Sequence, residues 1–132
     1  MLDLERRFYE EMIAHAREEA PNECCGIIAG KDGRAVKLFR ARNAEESPYL
    51  YYLDSRDLFR IYRECEANGW DFLAIYHSHT KTRAYPSPTD IRLAAWLDSY
   101  YLIVTLRRPK HPVVRAFRII DGKPREEKIR LI

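Results

Sequence analysis

Apolar residues recur along this chain at two spacings, every three to four positions and every second position, and the switches between them divide it into elements. Leu4, Phe8, Met12, Ile13 and Ala16 fall at helical spacing and predict an amphipathic helix over residues 3–20, with Asp3 as its N-cap and Pro21 past its end. CGIIAG, the turn KDGR and AVKLFRAR then read as two short strands joined in a hairpin, because Asp32-Gly33 is a strong turn signal. YLYYLD predicts a third strand or an extended segment. From Ser55 to Asn68, the positions of Leu58, Phe59, Ile61, Tyr62 and Cys65 predict a second helix that Gly69 ends.

WDFLAIYH is a continuous apolar run of strand length, the pattern of a central strand buried on both faces. After a polar loop, SPTDIRLAAWLDS opens a third helix, with Ser87 at the N-cap, Pro88 first in the helix and Asp90 in its first turn. YYLIVTL, PVVRAFRII and EEKIRLI complete the strands, the last two joined by the turn at Asp121-Gly122. The order predicts an α/β (α+β) fold in which helices flank a central mixed sheet. At 132 residues it is expected to form a single domain, 1–132.

Composition narrows the class. Hydrophobic residues at 46% and charged residues at 33% describe a globular chain. The first twenty residues carry charges throughout, without the apolar centre of a signal peptide or the length of a membrane span, so a cytoplasmic protein that does not enter a membrane is expected. The cysteines, Cys24, Cys25 and Cys65, make neither a disulfide framework nor a CxxC metal pattern and read as reduced thiols. Arginine outnumbers lysine 17 to 6 and glutamine is absent, a balance that a heat-adapted source or codon bias would produce. The net charge of +3 conceals an acidic first half and a basic second half. Without an aromatic-rich RNA signature, the basic half reads as a solvated face, and no nucleic-acid partner is expected.

The chemistry concentrates in AIYHSHTKTRAYPSPTD. Residues two apart in a strand share a face, so His77 and His79 can aim both rings at one point beyond the sheet, and Asp90 can return to it from the next helix. Two imidazoles and a carboxylate suit zinc and leave a fourth tetrahedral position for water. Taken singly, a strand-end histidine and a Ser-Pro-x-Asp helix start have plain structural readings. Their joint spacing carries the metal reading.

His-Ser-His, seven residues, Ser, two residues and Asp resembles the JAMM (MPN+) motif of zinc metallopeptidases. PNECCGIIAG resembles the upstream segment of bacterial members, where a glutamate precedes Cys-Gly. The resemblance covers residues 21–90 and implies an MPN/JAB1-type, cytidine-deaminase-like architecture of the small stand-alone prokaryotic kind. It further implies His77, His79 and Asp90 as ligands of one Zn2+ per chain with a bound water, Glu23 as general acid/base, and Ser87 as hydrogen-bond donor to the substrate oxyanion. The implied reaction is hydrolysis of the amide after the Gly-Gly tail of a ubiquitin-like sulfur-carrier protein. Its product is an amino acid released from the tail or a lysine side chain freed from a conjugate. The basic half could complement an acidic carrier, and homodimer formation is left open. The loop TKTRAYP is short, and the long insertions that grip a second ubiquitin in eukaryotic members are missing.

The remaining candidates read structurally. Cys24 and Cys25 have no adjacent histidine to activate them, Gly26 and Gly30 suit close backbone approach, and Tyr49, Tyr51 and Tyr52 suit packing or the flank of a groove. His15 and His111 are expected to be structural or exposed. A zinc nucleobase deaminase needs HxE with PCxxC, and neither occurs here. A non-catalytic MPN-type scaffold would have lost ligands, whereas every motif position is filled. Metal analysis is expected to find about one zinc per native chain and none in a His77→Ala, His79→Ala double variant. Absence of zinc from both, after incubation with zinc, would favour the scaffold.

Overall fold

The computed structural model describes residues 1–96 and 98–132. Along the chain the elements run β1 (Leu2–Leu4), α1 (Arg6–Glu19), β2 (Cys25–Lys31), β3 (Arg34–Ala41), α2 (Ser55–Asn68), β4 (Asp71–His79), α3 (Pro88–Leu93), β5 (Tyr100–Thr105), β6 (Val113–Ile120), β7 (Lys123–Glu127) and β8 (Ile129–Leu131). One sheet has the order β3-β2-β4-β5-β6-β7, and β1 pairs with β8 in a second. Within the larger sheet, β4 and β5 run parallel and the other neighbours antiparallel. The expected mixed sheet is therefore present, and Ala74 to His79 of β4 are all buried within it.

The two faces of β4 enter two cores. Ala74 and Tyr76 pack with Phe8, Met12 and Ala16 of α1, while Ile75 packs with Ile61 and Cys65 of α2. Alternation along the strand sends His77 and His79 to the α2 face. The hairpin turns form as the sequence predicts: Asp32 and Gly33 have φ of 52° and 79°, and Asp121 and Gly122 have 52° and 72°. Positive φ at both central residues matches the twist of the flanking strands. Gly26 meets the expected close approach, since a Cβ there would stand 2.5 Å from the Phe39 carbonyl oxygen and inside the Tyr76 ring.

Three boundaries differ from the sequence reading. The first helix starts at Arg6; Leu2 and Leu4 belong to a strand paired with Ile129 and Leu131, and Asp3 bonds Arg130 at 2.7 Å instead of capping the helix. A partner at the far end of the chain has no local signal. For the same reason EEKIRLI is divided, part in β7 against β6 and part in β8 against β1. YLYYLD meets the second of its two readings, forming no strand and making a single bridge from Leu53 to Asn43. The third helix stops at Leu93, well short of Ser99: the Trp96 N–H, which a continuing helix would give to Arg92, is donated to the Tyr101 hydroxyl at 2.9 Å. Leu97, also assigned to that helix, lies outside the described residues. Among the described residues no helix is long and apolar enough to cross a membrane.

His15 is structural: it is 3% exposed, and its Nδ1 hydrogen-bonds the Tyr76 hydroxyl at 2.7 Å. Burial, then the nearby Arg40, lowers its pKa to about 4. The unfolded chain therefore binds the extra proton first as pH falls. The contribution of His15 is complete above about pH 6.5 and is lost by about pH 4, an effect of roughly 3 kcal/mol. Denaturant midpoints measured across this window should fall less steeply with acid in His15→Asn than in the native chain; equal slopes would reject this account.

Candidate metal centre

His77 and His79 end β4, where its parallel pairing with β5 brings His79 opposite Thr105. Asp90 arrives through a capping box at the start of α3. Ser87 Oγ accepts from the Asp90 N–H at 3.0 Å, and Asp90 Oδ2 accepts from the Ser87 N–H at 2.9 Å. This reciprocal bond turns the carboxylate back toward the strand end. There Oδ2 lies 3.1 Å from His77 Nε2 and 3.0 Å from His79 Nε2, and the two ring nitrogens are 3.1 Å apart. The three predicted ligand residues thus converge.

The donor chemistry fits a cation. His79 Nδ1 is 2.8 Å from the Arg83 carbonyl oxygen, which can only accept, so Nδ1 carries the hydrogen. In the neutral ring Nε2 then holds a lone pair, aimed at a carboxylate oxygen and a second imidazole. Such atoms repel unless positive charge stands among them. A proton can supply it: burial disfavours charge on His79, but the Asp90 bond and the Arg83 carbonyl outweigh burial and raise its pKa. Burial likewise resists ionisation of Asp90, yet its bonds to His77 and His79 hold it well below the usual carboxylate range. For His77 burial prevails and the pKa is lowered. A divalent ion meets the same demand for charge, and the residues fit zinc.

Glu23 reaches the centre by strand register. Cys25 pairs with His77, and the Ser78 N–H donates to the Cys24 carbonyl at 3.1 Å. Continued one step past its last pair, that register would bring Glu23 opposite His79, and the charges of His79 and Asp90 do reach the Glu23 carboxyl. Glu23 is 3% exposed, and its Oε1 has no partner among the described residues. Burial chiefly, with the charge of Asp90 adding to it against His79, raises its pKa to about 8. A carboxyl so placed exchanges protons near neutrality. Ser87 is half-buried at the helix start; its oxygen accepts from Asp90, leaving its O–H free to donate.

Two supporting residues escaped the sequence reading, and a third has a contact it did not foresee. Ser78 Oγ accepts from the Cys24 N–H at 2.8 Å and locks β4 to the backbone beside Glu23. Its alternation to the other face of the HSH segment was the available signal. Asn43 Nδ2 donates to the carbonyls of Glu23 at 3.1 Å and Leu50 at 3.0 Å, and its Oδ1 accepts from the Tyr52 N–H, which ties down the loop over the site. Tyr51, read as a packing or groove residue, stacks on His77 with ring centroids 4.2 Å apart. Cys24 and Cys25 are buried, and burial pushes the Cys24 thiol up to about 12 and that of Cys25 higher still, so neither is poised as a nucleophile.

Residues 5–120 match the family model for prokaryotic homologs of the JAB domain. The chain is 42% identical over 123 residues to the CysO-cysteine peptidase of Mycobacterium tuberculosis, covering 92% of this chain and 84% of that protein. It is 36% identical over 124 residues to a probable TtuB-protein conjugate cleaving protease of Thermus thermophilus, covering 93% and 79%. The solution structure of a Desulfitobacterium hafniense protein aligns with a TM-score of 0.89 and 37% identity, covering all of this chain and 93% of that one.

Removing the Ser78 hydroxyl would leave the buried Cys24 N–H without its acceptor. Ser78→Ala should lower unfolding stability by about 1–3 kcal/mol in denaturant titration, with metal content retained. An unchanged midpoint would show that the bond does not hold the two strands together.

Proposed function

Because the chain belongs to the family of prokaryotic JAB-domain homologs, we propose that it is a zinc-dependent peptidase acting on the amide bond after the Gly-Gly tail of a ubiquitin-like sulfur-carrier protein. The observation that carries this reading is the convergence of His77, His79 and Asp90 at one end of β4, with the buried carboxyl of Glu23 close enough to feel the charges of His79 and Asp90. The two peptidase relatives act, by their names, on CysO-cysteine and on TtuB-protein conjugates. Carried to this chain, those names suggest a small carrier protein as substrate. We take residues 1–132 to act as one domain in the cytoplasm, without nucleic acid or membrane.

His77, His79 and Asp90 would hold the metal. Zinc, when bound, lowers the pKa of a water toward neutrality and polarises the scissile carbonyl. Glu23 takes the proton released as the water attacks and delivers it to the departing amine. The Ser87 O–H donates to the carbonyl oxygen as negative charge gathers there. Tyr51 keeps the His77 ring in place from one side, and the Arg83 carbonyl keeps His79 in the tautomer that a metal needs.

A cavity of about 230 Å³ beside the centre supports a slender tail. Tyr51, Tyr52, Leu58, Leu93 and Tyr101 line it, and Tyr51 connects it to His77. Glycines, lacking Cβ atoms, suit such a slot, and an extended tail could hydrogen-bond through its backbone. A partner-binding scaffold would have no use for a buried carboxyl in the electrostatic neighbourhood of three converging donor residues.

Glu23→Ala should cut cleavage of a carrier extended beyond Gly-Gly by roughly 10²–10⁴-fold while leaving about one zinc per chain. Paired turnover and metal measurements check this. Undiminished cleavage would remove Glu23 from the mechanism, and loss of zinc would recast it as a support for the ligands.

A further inference from the structure

The cations of the basic half are concentrated. Between residues 80 and 112 stand Lys81, Arg83, Arg92, Arg107, Arg108 and Lys110, against Asp90 and Asp98 as the only acids. Asp90 is engaged by the two imidazoles. Elsewhere several surface arginines are matched, as Arg40 is by Glu11 and Glu18, Arg115 by Glu126 and Arg130 by Asp3. Among the described residues, Lys81, Arg107, Arg108 and Lys110 form no ion pair, and neither does Arg17, which approaches the same region from α1.

Two of these cations line one cavity of about 420 Å³, together with Pro21, Thr80, Leu106 and Pro109. Arg17 Nη2 donates to the Pro109 carbonyl at 3.2 Å, which steadies the guanidinium and leaves most of its N–H groups uncommitted. The walls are direct continuations of the centre: Thr80 and Lys81 follow His79, and Pro21 stands two residues before Glu23. Two residues of extended chain reach about 7 Å, comparable with the reach of a lysine side chain. The cavity borders the α1 face, where Leu106 packs, whereas Tyr51 and the apolar slot lie on the α2 face. A substrate tail in the slot would cross the end of β4 at the metal centre and direct whatever follows the scissile amide toward Arg17 and Lys81.

We infer that this cavity is the subsite for a single amino acid beyond the scissile amide, and that Arg17 and Lys81 bind its free α-carboxylate. The inference rests on the peptidase reading and sharpens it. A residue attached through its α-amine carries a carboxylate one carbon from the cleaved nitrogen, the group that the two cations would hold. A lysine joined through its side chain presents methylenes there. The enzyme would therefore favour removal of one terminal amino acid over release of a conjugated protein.

The test compares a Gly-Gly-tailed carrier extended by one alanine as the free acid with the same protein ending in alanine amide. The zinc-loaded native chain should cleave the free acid with a kcat/KM roughly tenfold to a hundredfold higher. In an Arg17→Ala, Lys81→Ala variant that preference should vanish through a raised KM, and Arg17→Lys, Lys81→Arg should restore part of it. Equal cleavage of acid and amide by the native chain would overturn the inference and leave the peptidase reading standing. So would an equal slowing of both substrates in the double alanine variant, which would instead mark the cations as a surface for an acidic carrier. If neither substrate is cleaved, the peptidase reading fails, and binding decides the inference. The tripeptide Gly-Gly-Ala, but not its amide, should then shift the Arg17 and Lys81 side-chain NMR signals of the full chain; no shift would overturn it.

Discussion

Antiparallel pairing of β2 with β4 is the constraint on which the site depends. Cys24 and Ser78 are 54 residues apart in sequence, yet two hydrogen bonds join them, one through backbone and one through the serine hydroxyl. Every pair along this ladder has a fixed facing, so the register that buries Ile27 against Ile75 also determines where Glu23 stands relative to His79. A slip of one residue would turn Glu23 to the α1 face and separate it from the imidazoles. The hydrophobic core thus aligns the polar site: Ile27, Ile75 and Gly26 beneath the Tyr76 ring hold the register, and the chemistry lies at its last rung.

The site is costly to the fold. Glu23 Oε1 and His77 Nδ1 are buried without hydrogen-bond partners among the described residues, and such groups destabilise by about 1–3 kcal/mol each. Two cores on opposite faces of the sheet offset that expense, and the polar groups gather where the strands end and the cores thin out. Surrounding contacts limit the freedom of the site. Asn43 pins the overlying loop, Tyr51 stacks on one imidazole, and the Arg83 carbonyl orients the other. A ring held in one plane and tautomer loses little entropy when it acquires a ligand.

Legibility in the sequence followed the range of each interaction. The HSH segment, the Ser-Pro-x-Asp helix start and the two Asp-Gly turns are local, and each forms where its pattern predicts. β1 went unread, and EEKIRLI was read as one strand, because Leu2 and Leu4 become a strand only through Ile129 and Leu131. The early end of α3 depends on the Tyr101 hydroxyl, which belongs to the following strand. Among site residues, the candidate ligands were visible as a spacing, whereas Ser78, Asn43 and Tyr51 act through partners that only the folded chain assembles. Glu23 lay between these cases. Its place near the ligands was expected from a family resemblance, and the strand register accounts for it physically.

The capping box at α3 has a consequence for how such chains diverge. The helix has six residues, too few to persist on its own propensity, and the reciprocal Ser87–Asp90 bonds stabilise its start. A descendant that gave up hydrolysis would still benefit from serine and aspartate at this spacing, because the helix start needs them with or without a metal. The serine and aspartate are therefore a poor record of retained activity across descendants. The histidine pair serves no comparable architectural need at the strand end, and its erosion would be the earlier mark of lost chemistry.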